Sequence, residues 1–465
     1  MIGTDDGAEA RRKSFIVLLF AVLLAAALGS SAGIFNDGDV SWHLATGQWI
    51  IDHRAIPDTD PFSFTWGGKP WVPIEWLAEV VMTGAHRLAG YSGLAALVTA
   101  ALIALNLLVT VNALRFVPPW AAAAIVVLLD LILIPMMLAR PHLLAWALLA
   151  FWLSMLLRAR ERDRAPPLAA ALLIVVWVNL HGSFAIALVI AAAFGLEALL
   201  TTPDRARALR QWGLFGLACA IGGLVNANGI DGVLHPLTIA NLEMLPLIDE
   251  WKPSNPRTTP FFFVASAFGA LLAWQGRPKL HPVRWLLLAL LLGMAMMQMR
   301  HQAVFAIAAA MLVPAGCAGL AGRPAGRLLT VVAVSVAAAL VLVRAVLPIT
   351  LPENSANPWK LIAAVPPELR TQPVLNGYSM GGPLILSGIR PYVDGRGDMY
   401  GDELVVGYKR ITEGNAAELD AAVRRWNIRW AILPPRYPKL IALLDQSPQW
   451  RKIHQDNIGA IYVRN

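Results

Sequence analysis

The sequence predicts a polytopic α-helical membrane protein in which the membrane part is followed by a small α/β domain. Three observations predict it. The chain of 465 residues is 57% hydrophobic and 15% charged, with a mean hydropathy of +0.57, too apolar for a water-soluble fold. The apolar residues fall in repeated runs of about 20, the length a helix needs to cross hydrocarbon. The runs stop near residue 350, and polar and apolar residues mix from there on. Residues 1–351 are therefore read as the membrane domain and 352–465 as a second domain.

The first span covers 14–33, behind Arg11, Arg12 and Lys13. Its end is a poor match to a cleavage site, so it is read as a retained helix and not a signal peptide. Residues 34–90 form the first loop, rich in Pro, Trp and charge. Inside it Val40–His53 has the pattern of an amphipathic helix, with Trp42, Leu44, Trp49 and Ile50 suited to a membrane interface. Pro57, Pro61, Pro70 and Pro73 break up the next stretch, and Glu75–Leu88 reads as a further helix. Apolar runs then lie near 91–114, 119–139, 142–158, 166–181, 183–201, 211–227, 259–275, 284–299, 302–321 and 327–348. The total is about eleven spans, some short or tilted. Cys219 and Cys317 both fall within these runs and read as small core residues.

Lys and Arg set the orientation. With the N-terminus inside, the inner loops carry Arg115, the Arg158–Arg164 cluster, Arg205, Arg207 and Arg210, then Arg277, Lys279 and Arg284, and finally Arg323 and Arg327. The outer turns near 140, 181 and 300 are short and nearly free of charge. An odd number of spans puts 352–465 outside the cytoplasm. The basic clusters are explained by this bias, so the net charge of +8 does not point to nucleic acid. In the second domain Pro373–Leu375, Arg390–Val393, Trp430–Leu433 and Ala460–Val463 read as strands, and Ala416–Trp426 and Tyr437–Leu444 as helices. NGYSMGGP and DGRGDMY read as Gly-rich turns.

This topology gathers the polar residues that need explaining on the outer face. Asp37 and Asp39 stand at the mouth of the first helix, where carboxylates are costly to place. Two carboxylates one residue apart can bind a divalent cation, or one can take a proton from an acceptor hydroxyl. Arg140 and Arg300 are lone charges in short outer turns, and a guanidinium suits bidentate binding of phosphate. His181 is the third candidate for that phosphate. His43, Glu75, Glu250 and Trp251 are candidate contacts for an acceptor or a sugar, with Trp251 as an aromatic platform. The histidines lack metal-type spacing, so no metal site is assigned, although a divalent cation at the aspartates stays open.

DGDVSWHLATGQWI, IPDTDPFSFTWGGKPWVPIEWL, VNLHGSF, RHQAVFAI and PYVDGRGDMY, in this order over nearly the whole chain, resemble a group of bacterial membrane proteins of the GT-C superfamily. Protein O-mannosyltransferases, lipid A aminoarabinose transferases and oligosaccharyltransferase catalytic subunits belong to that superfamily. The resemblance implies a multi-pass glycosyltransferase of the bacterial cytoplasmic membrane. It implies a polyprenyl-phosphate-linked sugar donor, a glycan, lipid or protein acceptor on the outer side, and a catalytic carboxylate at Asp39 or Asp37. The phosphate role of Arg140, His181 and Arg300 rests on the topology alone. Two other classes stand beside this reading. A transporter for lipid-linked glycans would place polar groups near mid-membrane, where Asp130 is the candidate. A scaffold would only display the domain 352–465.

Overall fold

The computed structural model describes residues 5–317 and 324–465, which leaves Arg323 of the expected inner loop outside the described residues. The first half of the membrane domain comprises α1 (Asp5–Gly29), α2 (Asp39–His53), α3 (Trp76–Ala113), α4 (Pro119–Leu133), α5 (His142–Glu161), α6 (Leu172–Val178) and α7 (Phe184–Thr201). The second half comprises α8 (Arg205–Leu224), α9 (Gly229–Ala240), α10 (Pro260–Gly276), α11 (Pro282–Met297), α12 (Gln302–Ala315) and α13 (Arg327–Val346). Helix α3 is the hub and packs on α1, α2, α5 and α13. The two helices expected on either side of residue 90 run on as α3, with a kink where Gly90 takes φ +60°, a conformation glycine reaches without a Cβ penalty.

Within the described residues, each apolar run read from the sequence lies on a helix. Among them, six helices are long and apolar enough to cross a membrane, or seven if α8 and α9, bent by 92°, form one span. Four more apolar helices are shorter. Large apolar side chains such as Leu217, Phe268, Leu286 and Leu342 are exposed along the bundle. A water-facing surface does not carry that much apolar area; hydrocarbon does. This is a multi-pass membrane protein.

The second domain is a four-stranded sheet with helices on it. Its strands are β1 (Val374–Asn376), β2 (Trp430–Leu433), β3 (Trp450–Gln455) and β4 (Ala460–Arg464), in the order β1-β2-β4-β3. β1 and β2 are parallel and the other pairs antiparallel. The helices are α14 (Trp359–Ala363), α15 (Gly381–Leu386), α16 (Gly397–Thr412), α17 (Ala416–Trp426) and α18 (Pro438–Gln446).

Three expectations need correction. Arg390–Val393 is not a strand. Its backbone is taken up by other partners: the Pro391 carbonyl accepts from Phe64 N, the Tyr392 carbonyl accepts from Thr65 Oγ1 at 2.6 Å, and Tyr392 N donates to Asn376 Oδ1 at 2.8 Å. NGYSMGGP and DGRGDMY are more than turns, because α15 starts within the first and α16 within the second. And the apolar face of α2 is largely covered by protein, with Trp49 half-buried. Trp42, Leu44 and Ile50 are buried, and α2 packs between α3 and α15.

The second domain is thus seated on the first loop. Asp60 in the loop accepts from Phe62 N, Ser63 N and Ser63 Oγ, and it is bonded to Arg396 Nη1 of the second domain at 2.7 Å. Arg390 Nη2 donates to the Ser63 carbonyl at 2.6 Å. Trp42 and Trp71 share one apolar cluster with Tyr392, Tyr400 and Tyr408.

Candidate active site

The chain leaves α1 through a short turn and enters α2 at Asp39. The turn is fixed locally, since Asp39 N donates to Asp37 Oδ1 at 2.9 Å. That leaves both outer carboxylate oxygens directed at Arg140, which lies between α4 and α5. Arg140 Nη1 is 3.2 Å from Asp37 Oδ2 and Nη2 is 3.2 Å from Asp39 Oδ2. Nη1 also bonds Glu250 Oε1, from the segment joining α9 to α10. Three carboxylates of the expected set therefore converge on one guanidinium. All but Glu250 are largely buried.

Sharing one cation among three carboxylates has electrostatic consequences. Burial and the charge of Asp37 push the Asp39 carboxyl up to about 8, against the pull of Arg140. Arg140 holds Glu250 down to about 2, against burial. Burial works against the Arg140 charge, but Glu250, Asp39, Asp37 and Glu75 outweigh it and keep that group well above its ordinary value. The donor set does not fit a divalent cation. The guanidinium fills the space between the carboxylates, and among the described residues no group of three His, Cys, Asp or Glu side chains is arranged to hold a metal.

Arg300 behaves differently. It is half-buried and lies over the Trp251 ring at 4.2 Å, a contact worth ~0.5–2 kcal/mol. Among the described residues it has no ion pair and no hydrogen bond, so its N–H groups are free for an anionic ligand. Glu250 and Glu75 both feel its charge.

The remaining expected residues form a second group beside the first. His43, one turn after Asp39 on α2, is fully buried, and its Nδ1 meets Glu79 Oε1 at 3.2 Å. Glu75 Oε1 is 3.4 Å from His181 Nε2. Burial, then Arg140 and the neighbouring imidazoles, hold His43 well below its ordinary value. Burial and Arg300 do the same for His181. Both imidazoles are neutral.

Sequence reasoning missed four contributors. Glu79 could have been found, since it is a carboxylate in an apolar helix one turn beyond Glu75. Asp398, paired with His235 at 3.0 Å, and Tyr378 sit in stretches that read as turn chemistry. Gly395 is the fourth. A side chain there would collide with the Asp39 carboxylate, and one at Gly382 with the Gly38 carbonyl. Only glycines let the second domain approach the acidic loop this closely. Asn179, by contrast, serves the fold: its Oδ1 accepts from Trp76 Nε1 at 2.8 Å, and its Nδ2 donates to the Val225 carbonyl.

An apolar helical bundle thus gathers acidic and basic groups at one end, under a domain that touches them. No protein-family model and no curated protein matches the chain. Among solved structures, the crystal structure of the Archaeoglobus fulgidus oligosaccharyltransferase in the apo form is similar over 92% of this chain and 71% of that one, with a TM-score of 0.55 and 12% identity. At that identity the likeness establishes the fold.

Proposed function

We propose that the protein transfers a sugar from a polyprenyl-phosphate-linked donor to an acceptor on the outer face of the bacterial cytoplasmic membrane. The observation that carries this is the convergence of Asp37, Asp39, Arg140 and Glu250 on one cluster, with the unpaired Arg300 beside it, at one end of a GT-C-like bundle. About eleven spans, with the N-terminus inside and 352–465 in the periplasm, are supported by the Lys and Arg distribution. The lipid tail lies along exposed apolar helix faces. Arg300 meets the phosphate and stabilises the charge that develops as it leaves, while Arg140 holds the carboxylates and His181 faces Glu75. Asp37 and Asp39 are the catalytic carboxylates that hold the acceptor's nucleophile in line with the anomeric carbon. Glu250 and Trp251 face the sugar.

In membrane vesicles supplied with polyprenyl-phosphate-linked sugars, Asp37→Asn and Asp39→Asn variants insert normally and lose transfer by ~10²-fold or more. Full activity in both removes the assignment.

The transport reading turns on Asp130. That side chain is buried and accepts from Asn106 Nδ2 at 2.8 Å, which ties α3 to α4. Asp130→Asn keeps a hydrogen-bonding group there and is expected to leave transfer near the wild-type rate. Loss of function in Asp130→Asn with full function in both loop variants would favour transport.

A further inference from the structure

Glu75 stands apart from the other carboxylates of the site. Asp37, Asp39 and Glu250 share Arg140, and Asp398 has His235. Among the described residues Glu75 has no arginine or lysine within ion-pair distance; both its oxygens face imidazoles. Oε1 is 3.4 Å from His181 Nε2 and Oε2 is 4.0 Å from His43 Nε2. Behind His43 lies Glu79, 3.2 Å from Nδ1 and 1% exposed. The side chains make a single file, Glu79–His43–Glu75–His181, that runs from inside the bundle to the mouth of the site.

One hydrogen bond fixes the His181 proton. Ser183 N donates to His181 Nδ1 at 3.1 Å, so the proton of that neutral ring sits on Nε2 and is aimed at Glu75. His43 Nε2 and Glu79 Oε2 are buried and have no hydrogen-bond partner. An orphaned buried polar group costs ~1–3 kcal/mol, and the His43 ring spans the space between two carboxylates, with Nδ1 bonded to Glu79 and Nε2 facing Glu75. Glu75 is left as the carboxylate that faces two imidazole nitrogens and has no arginine or lysine within ion-pair distance among the described residues.

We propose that Glu75 is the proton acceptor of the transfer, with His43 and Glu79 as the positioning residues behind it; the proposal rests on the glycosyl-transfer reading. As the acceptor oxygen bonds to the anomeric carbon, the bond from that carbon to the phosphate oxygen breaks. Its electron pair stays on the leaving phosphate, and the acceptor's proton moves to a Glu75 oxygen. Water then takes the proton from Glu75. Asp37 and Asp39, both tied to Arg140, keep their place beside the nucleophile.

Burial raises Glu75 to about 7, against Arg140 and Arg300 and with Asp398 and Glu250 adding to the rise. These charges, together with His43, His181 and Glu79, are the titratable groups that face it. A base poised there works near neutral pH. With full-length protein in vesicles and a synthetic polyprenyl-phosphate-linked hexose as donor, kcat/KM is expected to rise with pH through about 7. Glu75→Gln loses ~10²–10⁴-fold and loses that limb. His43→Asn and Glu79→Gln retain part of the rate and move the limb, which a merely structural role would not do. Infrared titration of the purified protein gives a readout without turnover: the protonated-carboxyl absorbance that titrates near 7 loses one group's amplitude in Glu75→Gln. A Glu75→Gln variant with an unchanged rate or an unchanged limb overturns the assignment and leaves glycosyl transfer standing. A wild-type protein that shows the near-neutral band but transfers no sugar overturns the glycosyl-transfer reading, and the proton-acceptor role with it.

Discussion

Arg140→Gln is expected to lose transfer by ~10²–10³-fold, corresponding to ~2.7–4 kcal/mol of lost transition-state stabilisation. The reason is geometric. One guanidinium holds Asp37 and Asp39 on separate nitrogens, both at 3.2 Å, and Glu250 as well. A glutamine keeps some volume and hydrogen bonding but carries no charge. Three carboxylates then face one another without a cation, and their pKa values rise. Glu250, now held at about 2 chiefly by Arg140, moves furthest. The sign of the pH effect follows. Carboxylates whose folded-state values lie above their unfolded ones stabilise the fold at low pH, and that contribution is lost as pH rises through the folded values. The variant should therefore melt at progressively lower temperature than wild type as pH increases from about 4 to about 8. Arg140→Lys restores a charge but not the two-armed geometry, since an ammonium is a point donor. It should recover thermal stability more than activity. An Arg140→Gln protein with wild-type transfer, or with a wild-type melting profile across that pH range, would remove Arg140 from the centre of the site.

The helices are legible in the sequence because hydrocarbon imposes length and apolarity on each of them separately, without reference to the rest of the chain. The pairing at the site is not legible in the same way. Arg140 stands out as a lone charge in a short turn, which points to a free phosphate-binding role. Its carboxylate partners lie about 100 residues away in both directions, and no local pattern reports that. Arg300 stands out on the same grounds and does remain unpaired among the described residues. Trp450–Gln455 gives no strand signal because it is the edge of the sheet. Most of its residues face solvent, so WRKIHQ lacks the apolar signal of β2 and β4. Arg390–Val393 misleads in the opposite direction. Its apolar character reflects burial against the first loop and Asn376, not membership of the sheet. The Gly-rich starts of α15 and α16 hide two helices, because glycine there serves close approach to Gly38 and Asp39 at some cost in local helix propensity.

That close approach is held in place by Arg396, and Arg396→Met is expected to destabilise the protein by ~3–5 kcal/mol. Arg396 is 1% exposed and bonds Asp394 twice, at 2.8 and 2.7 Å, and Asp60 once, at 2.7 Å. Its guanidinium also lies over the Phe62 and Trp71 rings. Tyr400 OH donates to Asp394 at 2.6 Å, which completes the network. Methionine matches the stem but leaves two buried carboxylates without their cation, the more costly way to break a buried pair. Asp60→Asn should cost less, because Arg396 keeps both bonds to Asp394 and the substituted side chain still accepts through its amide oxygen. Asp394→Asn falls between the two. The order of melting temperatures for the full chain in detergent is therefore Asp60→Asn above Asp394→Asn above Arg396→Met. Activity should follow the same order for a second reason. Gly395 lies between Asp394 and Arg396, so close to Asp39 that an added Cβ would collide with its carboxylate, and loosening either neighbour lets the wall of the site move. Even a shift of about 1 Å at reacting groups costs ~10²-fold in rate. If Arg396→Met melts with wild type, the buried network is not what seats the second domain on the acidic loop.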